Sequence, residues 1–263
     1  MKAIVTGAAS GIGREVAFRL NRDAKQREGK AAQLLLVDIN QQSLEAVAEE
    51  LRQEGAEAQI FVGDLTDDAV PAQVIAEAEA ALGGLDALIS NAGIISRHFL
   101  LDLSVEDYQR SFDINTRATW LLGKAAHPLL AAANGCIIAT ASISGHHPTP
   151  PLGAYSASKA ALLMLIQQMA IEWGPDGIRC NTVSPGSTHT AMTDKRYSDP
   201  EQREAAAMRN PLHTVGSPEN QAAAISFLAS PDASYITGTD LLVDGGLHVM
   251  TMPASGMGDP WNR

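Results

Sequence analysis

Short apolar runs alternate with longer amphipathic ones along almost the whole chain. Residues 2–6, 33–37, 59–62, 85–89, 135–141 and 178–183 are brief runs dominated by Val, Ile, Leu and Ala. Runs this short, with few polar positions, predict strands covered on both faces. Between them, apolar residues recur three and four apart over 14–20, 41–54, 68–82, 104–112, 113–132, 155–173 and 218–229, which predicts helices. A last strand is expected at 240–243. Alternation of strand and helix predicts a parallel sheet with helices on both faces. It also places ligands outside the C-terminal ends of the strands. Two stretches break the rhythm. Residues 21–32 are polar and carry Arg22, Lys25, Arg27 and Lys30, so they read as an extended surface loop or a prolonged helix end. Residues 191–216 are polar and mixed, and read as a helical, mobile substrate lid that begins at about 187. A single catalytic domain over 1–248 and a Pro-, Gly- and Ser-bearing tail over 249–263 complete the expected organisation.

Composition narrows the class. With 263 residues, 45% of them hydrophobic, the chain is long enough to bury a full α/β core. A net charge of -11 argues against a nucleic-acid or anionic-membrane surface. The sequence enters strand-like residues at once, without a signal peptide, and has no run of about 18 apolar residues, so a cytoplasmic protein is expected. Cys136 and Cys180 fall in apparent buried strands and read as small hydrophobes; no metal site is expected.

Candidate chemistry gathers at the predicted strand ends. After the first strand comes Thr6-Gly7-Ala8-Ala9-Ser10-Gly11-Ile12-Gly13, a glycine turn opening a helix. Glycines let the backbone approach a pyrophosphate, and the helix start offers unpaired N–H groups. Asp38 ends the second strand, where a carboxylate accepts from adenosine ribose hydroxyls and repels a 2′-phosphate, favouring NAD over NADP. Tyr155 and Lys159 are four apart, on one face at the start of a long helix. A free phenol has a pKa of roughly 10. A neighbouring ammonium is expected to lower it and make the pair a proton-transfer device. Ser142, thirteen residues upstream of Tyr155 and just after the fifth strand, could bring a hydroxyl to the same substrate oxygen.

Read together, T-G-A-A-S-G-I-G at 6–13, N-A-G at 91–93, Asn115, Ser142, Y-S-A-S-K at 155–159, R-C-N-T-V-S-P-G at 179–186 and L-V-D-G-G at 242–246 resemble the short-chain dehydrogenase/reductase family, in its order and spacing. The resemblance implies a Rossmann-type, doubly wound, seven-stranded parallel sheet. It also implies hydride transfer between nicotinamide and a carbonyl or alcohol carbon. In that scheme Tyr155 is the general acid/base, and Lys159 tunes it and binds the nicotinamide ribose. Ser142 polarises the substrate oxygen, and Asn115 holds a water that relays protons from Lys159. Gly7, Ser10, Gly11, Ile12 and Gly13 would follow the phosphates, Ser10 being neutral where NADP-preferring members often carry a cation. Asp64 and Leu65 would meet adenine, Asn91 and Gly93 would line the cleft, and Pro185, Thr188 and Thr190 would hold the nicotinamide side.

Three readings of function follow. The first is an NAD-dependent oxidoreductase acting on a secondary alcohol or ketone, on a cyclic or polar substrate. The second is an NADPH-dependent 3-oxoacyl-type ketoreductase, and the third a cofactor-binding sensor without turnover. Arg97, His98, His146, His147 and His189 lie in loops expected to border the substrate. Residues 117–133 and 157–173 are apolar almost all round. Such helices need burial on more than one side. The family commonly pairs them between subunits, so a homotetramer is expected, with a dimer as the alternative.

Overall fold

The computed structural model describes residues 1–250. Seven strands form one sheet: β1 (Lys2–Thr6), β2 (Gln33–Asp38), β3 (Glu57–Val62), β4 (Ala87–Ser90), β5 (Cys136–Thr140), β6 (Arg179–Pro185) and β7 (Asp240–Val243). All neighbours pair in parallel, in the order β3-β2-β1-β4-β5-β6-β7. The sheet is the expected doubly wound, Rossmann-type arrangement. Its helices are α1 (Gly11–Glu28), α2 (Gln41–Gln53), α3 (Val70–Leu82), α4 (Val105–Phe112), α5 (Ala118–Ala133), α6 (Gly153–Trp173), α7 (Asp194–Tyr197), α8 (Pro200–Ala207) and α9 (Pro218–Ala229).

The period-two geometry of a strand splits the apolar runs into two cores. Val5, Leu36, Ile89 and Ile138 face α1, α2 and α9 through Val16, Leu44 and Ile225. Ile4, Leu35, Leu88 and Ile137 face α3, α5 and α6 through Val74, Leu122 and Ile166. Both sets are buried, and each such side chain contributes about 1.5–3 kcal/mol. Among the described residues no helix is long and apolar enough to cross a membrane.

Of the two readings of the polar stretch after residue 20, the prolonged helix end holds as far as Glu28. α1 continues to Glu28 and is closed by Gly29 at φ +66°. A polar residue inside this stretch faces inward: Asn21 is fully buried, its amide donating to the Glu54 carbonyl at 3.3 Å and accepting from the Ala32 N–H at 3.2 Å. Twelve residues of helix carry Arg22 about 18 Å along the axis from Ser10. Further on, Arg27 pairs with Asp232 and Lys25 donates to the Glu54 carbonyl. Smaller differences are local. α3 starts at Val70, with Pro71 in its first turn, where a missing N–H leaves no bond unmade. A π-helical turn, Asp113–Arg117, separates α4 from α5. Residues 187–216 contain α7 and α8 around a small core of Tyr197, Ala206 and Val215. Of the tail expected from residue 249, only Val249 and Met250 are described; 251–263 lie outside the described residues.

Strand order reverses between β1 and β4, and a crevice opens at their C-terminal ends. Thr6 closes its floor. Its buried hydroxyl accepts from the N–H groups of Asn91 and Ala92, both at 3.0 Å, and donates to the Ile89 carbonyl at 3.4 Å. Valine at this position keeps the shape and orphans both N–H groups. Thr6→Val is therefore expected to lower stability by about 1–3 kcal/mol, read as an earlier urea midpoint. An unchanged midpoint would show that the hydroxyl does not hold the two strand ends together.

Candidate active site

The glycine turn has the backbone that only glycine adopts freely: Gly7 lies at φ +66° and Gly11 at φ +54°. Gly13 is needed for a different reason. A Cβ there would stand 2.1 Å from the Gly7 carbonyl oxygen, so α1 seats directly on its own entry turn. Ser10, the residue preceding α1, is exposed and makes no side-chain cap, and the first turn holds no acidic residue. The leading N–H groups of α1 are thus unclaimed by side chains, and with the helix dipole they favour an anion. Thr190 stands over this turn, 3.3 Å from where a Cβ on Gly11 would be. Ile12 packs against the core beneath. These residues fit a dinucleotide pyrophosphate.

A cleft beside the turn is bordered by Gly7, Asp38, Asp64, Leu65, Gly93 and Arg110. Asp38 is fixed at its rim: one oxygen accepts from the Ala9 N–H at 3.1 Å, the other from the Asn40 N–H at 3.0 Å. Its neighbour Ile39 is 63% exposed and offers no cation. The Thr66 N–H (2.9 Å) and hydroxyl (2.8 Å) both donate to Asp64 and hold its carboxyl below the usual range, with a smaller contribution from the Arg110 charge. Arg110 was not singled out from sequence; a lone arginine on an amphipathic helix carries no signal that it faces a cleft.

At the other end of the crevice lie Lys159, Tyr155 and Ser142. Lys159 is 4% exposed and donates to the Thr140 carbonyl at 2.6 Å. Its Nζ is 5.8 Å from the centre of the Tyr155 ring, and burial pulls its pKa down to about 8. Tyr155 is on the first turn of α6 and half-buried. Burial raises its phenol above the ordinary value, and a hydrogen bond with Ser142 works in the other direction. The depression by Lys159 expected from the sequence is not what this arrangement gives: burial raises the phenol, and the opposing contribution comes from Ser142. Ser142, also buried, accepts from the Ser144 N–H at 3.1 Å. That bond leaves the Ser142 hydroxyl proton free to be donated toward the Tyr155 oxygen.

Other candidates have structural duties. Asn115 sits in the π-helical turn, where its oxygen accepts from the Ile94 N–H (2.9 Å) and its amide donates to the Ile94 carbonyl (3.1 Å) and the Ser158 hydroxyl (3.0 Å). It clamps the loop after β4 to α6. Gly93 leaves room beside it: a Cβ would stand 2.9 Å from the Asn115 oxygen and 3.5 Å from Lys159 Nζ. Asn91 turns inward, donating to the carbonyls of Thr6 (3.2 Å) and Gly7 (3.4 Å) and accepting from the Thr140 hydroxyl (3.0 Å). Thr188 also turns inward; its hydroxyl donates to the Gly186 carbonyl and accepts from buried Gln221, both at 3.1 Å. Pro185 ends β6 just before this turn. Thr190 is half-buried at the base of the lid, whose ends are joined by His189 N–H to Gly216 carbonyl (2.9 Å) and Gly216 N–H to Ser187 carbonyl (2.8 Å). Two histidines expected at the substrate are engaged elsewhere: His146 with Asp240 at 2.7 Å and His189 with Asp194 at 2.9 Å. Arg97, His98 and His147 are exposed, and His98 bridges Leu152 through its backbone.

Known proteins agree with this geometry. A family model described as enoyl-(acyl carrier protein) reductase matches residues 7–248. An L-rhamnose 1-dehydrogenase (NAD(P)(+)) of Azotobacter vinelandii is 38% identical over 256 residues, covering 94% of this chain and 96% of its own. A 2,5-dichloro-2,5-cyclohexadiene-1,4-diol dehydrogenase of Sphingobium indicum is 35% identical over 248 residues, covering 94% and 96%. Among solved structures, a putative NAD(P)-dependent gluconate 5-dehydrogenase from Beutenbergia cavernae with bound NADP superposes with a TM-score of 0.86 at 33% identity, covering 94% of this chain and 96% of that one. With its sheet order, glycine turn and Ser142–Tyr155–Lys159 cluster, this chain belongs to the short-chain dehydrogenase/reductase family and is an oxidoreductase of that type.

Proposed function

We propose that the protein is an NAD-dependent dehydrogenase of a secondary alcohol on a cyclic or polar substrate. The observation that carries this reading is the cluster of Ser142, Tyr155 and buried Lys159 at the end of β5, beside a glycine turn that fits a dinucleotide. Gly7, Ser10, Gly11, Ile12 and Gly13 would hold the pyrophosphate, and Asp38 the adenosine ribose. Asp64 and Leu65 would hold the adenine, Gly93 and Lys159 the nicotinamide ribose, and Pro185, Thr188 and Thr190 the nicotinamide. Bound nicotinamide supplies the hydride acceptor in oxidation and the donor in reduction. In oxidation the chain's own residues move the proton. Ser142 donates to the alcohol oxygen and orients it, and Tyr155 takes the hydroxyl proton as the carbon gives up hydride. The products are a ketone and a neutral phenol. In the reverse direction the same phenol returns its proton to the carbonyl oxygen. A phenol raised by burial is a ready donor at neutral pH, so oxidation gains as pH rises.

Asp38 supports NAD over NADP, because a fixed carboxylate at the rim meets a 2′-phosphate with like charge. The basic residues 22–30 that would soften this argument lie at the far end of α1. The test is NADH formation over a panel of L-rhamnose, gluconate, cyclic diols and hydroxysteroids, with NADP run in parallel. Turnover with NAD is expected on one chemical group. Asp38→Ser should raise the NADP-to-NAD ratio of kcat/KM by about tenfold or more. Tyr155→Phe should abolish turnover and retain NAD binding; full activity in that variant would remove the mechanism, and turnover with NADP alone the cofactor assignment.

Lys159 gives a pH signature in stability. Folded, it titrates near 8, and its unperturbed value is 10.5. Between those values the unfolded chain holds more protons, so this residue's contribution to stability rises with pH. The melting temperature of the wild type relative to Lys159→Met should therefore climb from pH 8 to pH 10. A flat difference would mean the ammonium is not desolvated.

The same reading includes a homotetramer built on α5 and α6. Trp120, Met164 and Ile171 are 43%, 63% and 74% exposed on these helices, which is costly for large apolar side chains unless covered. Light scattering should report four subunits. Met164→Glu should shift the mass to a smaller species; a wild-type monomer would dismiss the assembly.

A further inference from the structure

Asp240 places a carboxylate in a poor position for one. It opens β7, its side chain is only 9% exposed, and neighbouring β7 positions are apolar. A carboxylate leaving water needs several donors to be tolerated. Asp240 has three. Thr182 and Ser184, both on β6, donate to one oxygen at 2.6 and 2.9 Å, and the His146 ring nitrogen meets the other at 2.7 Å. The two hydroxyls belong to the strand already paired with β7, so they add no new connection to the fold. His146 does. It comes from the turn between β5 and α6.

That turn is short and carries Ser142. A 3₁₀ turn, Ile143–Gly145, has Ser142 at its start and His146 at its end. Its backbone is closed by Gly145 N–H to the Ser142 carbonyl (2.9 Å) and His146 N–H to the Ile143 carbonyl (3.0 Å). Within it, the Ser144 N–H sets the direction of the Ser142 hydroxyl. One side of the turn presses on α6: a Cβ on Gly145 would stand 2.9 Å from the Lys159 carbonyl carbon and 3.1 Å from the Ala160 nitrogen. The other side is held by the His146–Asp240 pair. A few residues clamped from two sides have little freedom, so a force on His146 reaches Ser142 through a single turn of backbone.

We propose that His146 and Asp240 are positioning residues for Ser142: the pair anchors the β5–α6 turn to the edge strand and so fixes where the Ser142 hydroxyl points. This rests on the proposed reading of the site, in which the Ser142 hydroxyl donates to the Tyr155 oxygen in the free protein and to the substrate oxygen when substrate is bound. The consequence is specific. Loss of the anchor should misalign the Ser142 hydroxyl while leaving the dinucleotide site intact, because among the described residues no hydrogen bond or ion pair joins the glycine turn, Asp38 or Asp64 to the pair.

The test needs no substrate. The phenol titration of Tyr155 is read as the phenolate absorbance of the full-length protein minus that of Tyr155→Phe. Ser142→Ala should move it upward. His146→Ala and Asp240→Ala should each move it upward by about half a unit or more. Combining the two should add little further, since both break one link. His146→Gln should return the titration toward wild type, because its amide reaches the position of the outer ring nitrogen; His146→Asn, which is shorter, should not. NAD binding by calorimetry should stay within about twofold in all these variants. If Ser142→Ala leaves the titration unmoved, the reading of the site itself fails. If Ser142→Ala moves it and His146→Ala does not, or if His146→Gln behaves like His146→Ala, the anchor is overturned and the site reading stands. Melting temperatures identify any variant that fails to fold, and the glutamine–asparagine comparison then decides.

Discussion

The site hangs on one line of hydrogen bonds across three strand ends. Thr6 ends β1, and its hydroxyl holds the backbone of Asn91. The Asn91 oxygen takes the Thr140 hydroxyl at the end of β5, and the Thr140 carbonyl takes the Lys159 ammonium. The glycine turn at one end and the buried amine at the other are thereby held by the same four residues. The Lys159 link is buried and the other two are partly so; away from water a hydrogen bond is both stronger and more expensive to leave unmade. The proposed reaction needs the nicotinamide and the Ser142–Tyr155–Lys159 cluster at a fixed separation. A chain of short bonds through the sheet supplies that better than loops would.

Much of this was legible in the sequence because it follows from periodicity. Apolar runs of strand length, spaced by amphipathic stretches, lead directly to the sheet, and the glycine turn and the Tyr155–Lys159 spacing lead to the two ends of the crevice. What escaped was inward-facing polarity. The sequence left residues 21–32 open between a surface loop and a prolonged helix end; it did not show that the Asn21 amide is buried and serves two backbone groups between α1, α2 and β2. Asn91 and Thr188, expected beside the cofactor, also spend their side chains on hydrogen bonds within the protein. A polar side chain that satisfies buried backbone is written with the same letter as one that binds a ligand. Only the positions of the neighbouring carbonyls and N–H groups separate the two.

The histidines show the same limit from the other side. Arg97, His98, His146, His147 and His189 lie in loops expected to border the substrate. The fold gives two of them carboxylate partners, Asp240 and Asp194, from elements remote or adjacent in sequence. In β7, Asp240 is a lone acid in an otherwise apolar strand, and that departure from pattern was visible. Its partner was not, since the pair spans 94 residues.

Burial acts on Tyr155 and Lys159 in opposite directions and toward one result. It raises the Tyr155 phenol and lowers the Lys159 ammonium, and in both cases it favours the neutral form. A tyrosine–lysine pair in water would rest far from transfer, with a neutral phenol beside a permanently charged amine. Here the amine, near 8, titrates within reach of neutral pH, and Ser142 works against the rise of the phenol. The direction of the Ser142 hydroxyl therefore matters more than its presence. A donor aimed at the phenol oxygen stabilises the phenolate, whereas one rotated away leaves desolvation unopposed. The backbone N–H of Ser144 sets that direction, which makes the short turn after β5 as much a part of the chemistry as the tyrosine it serves.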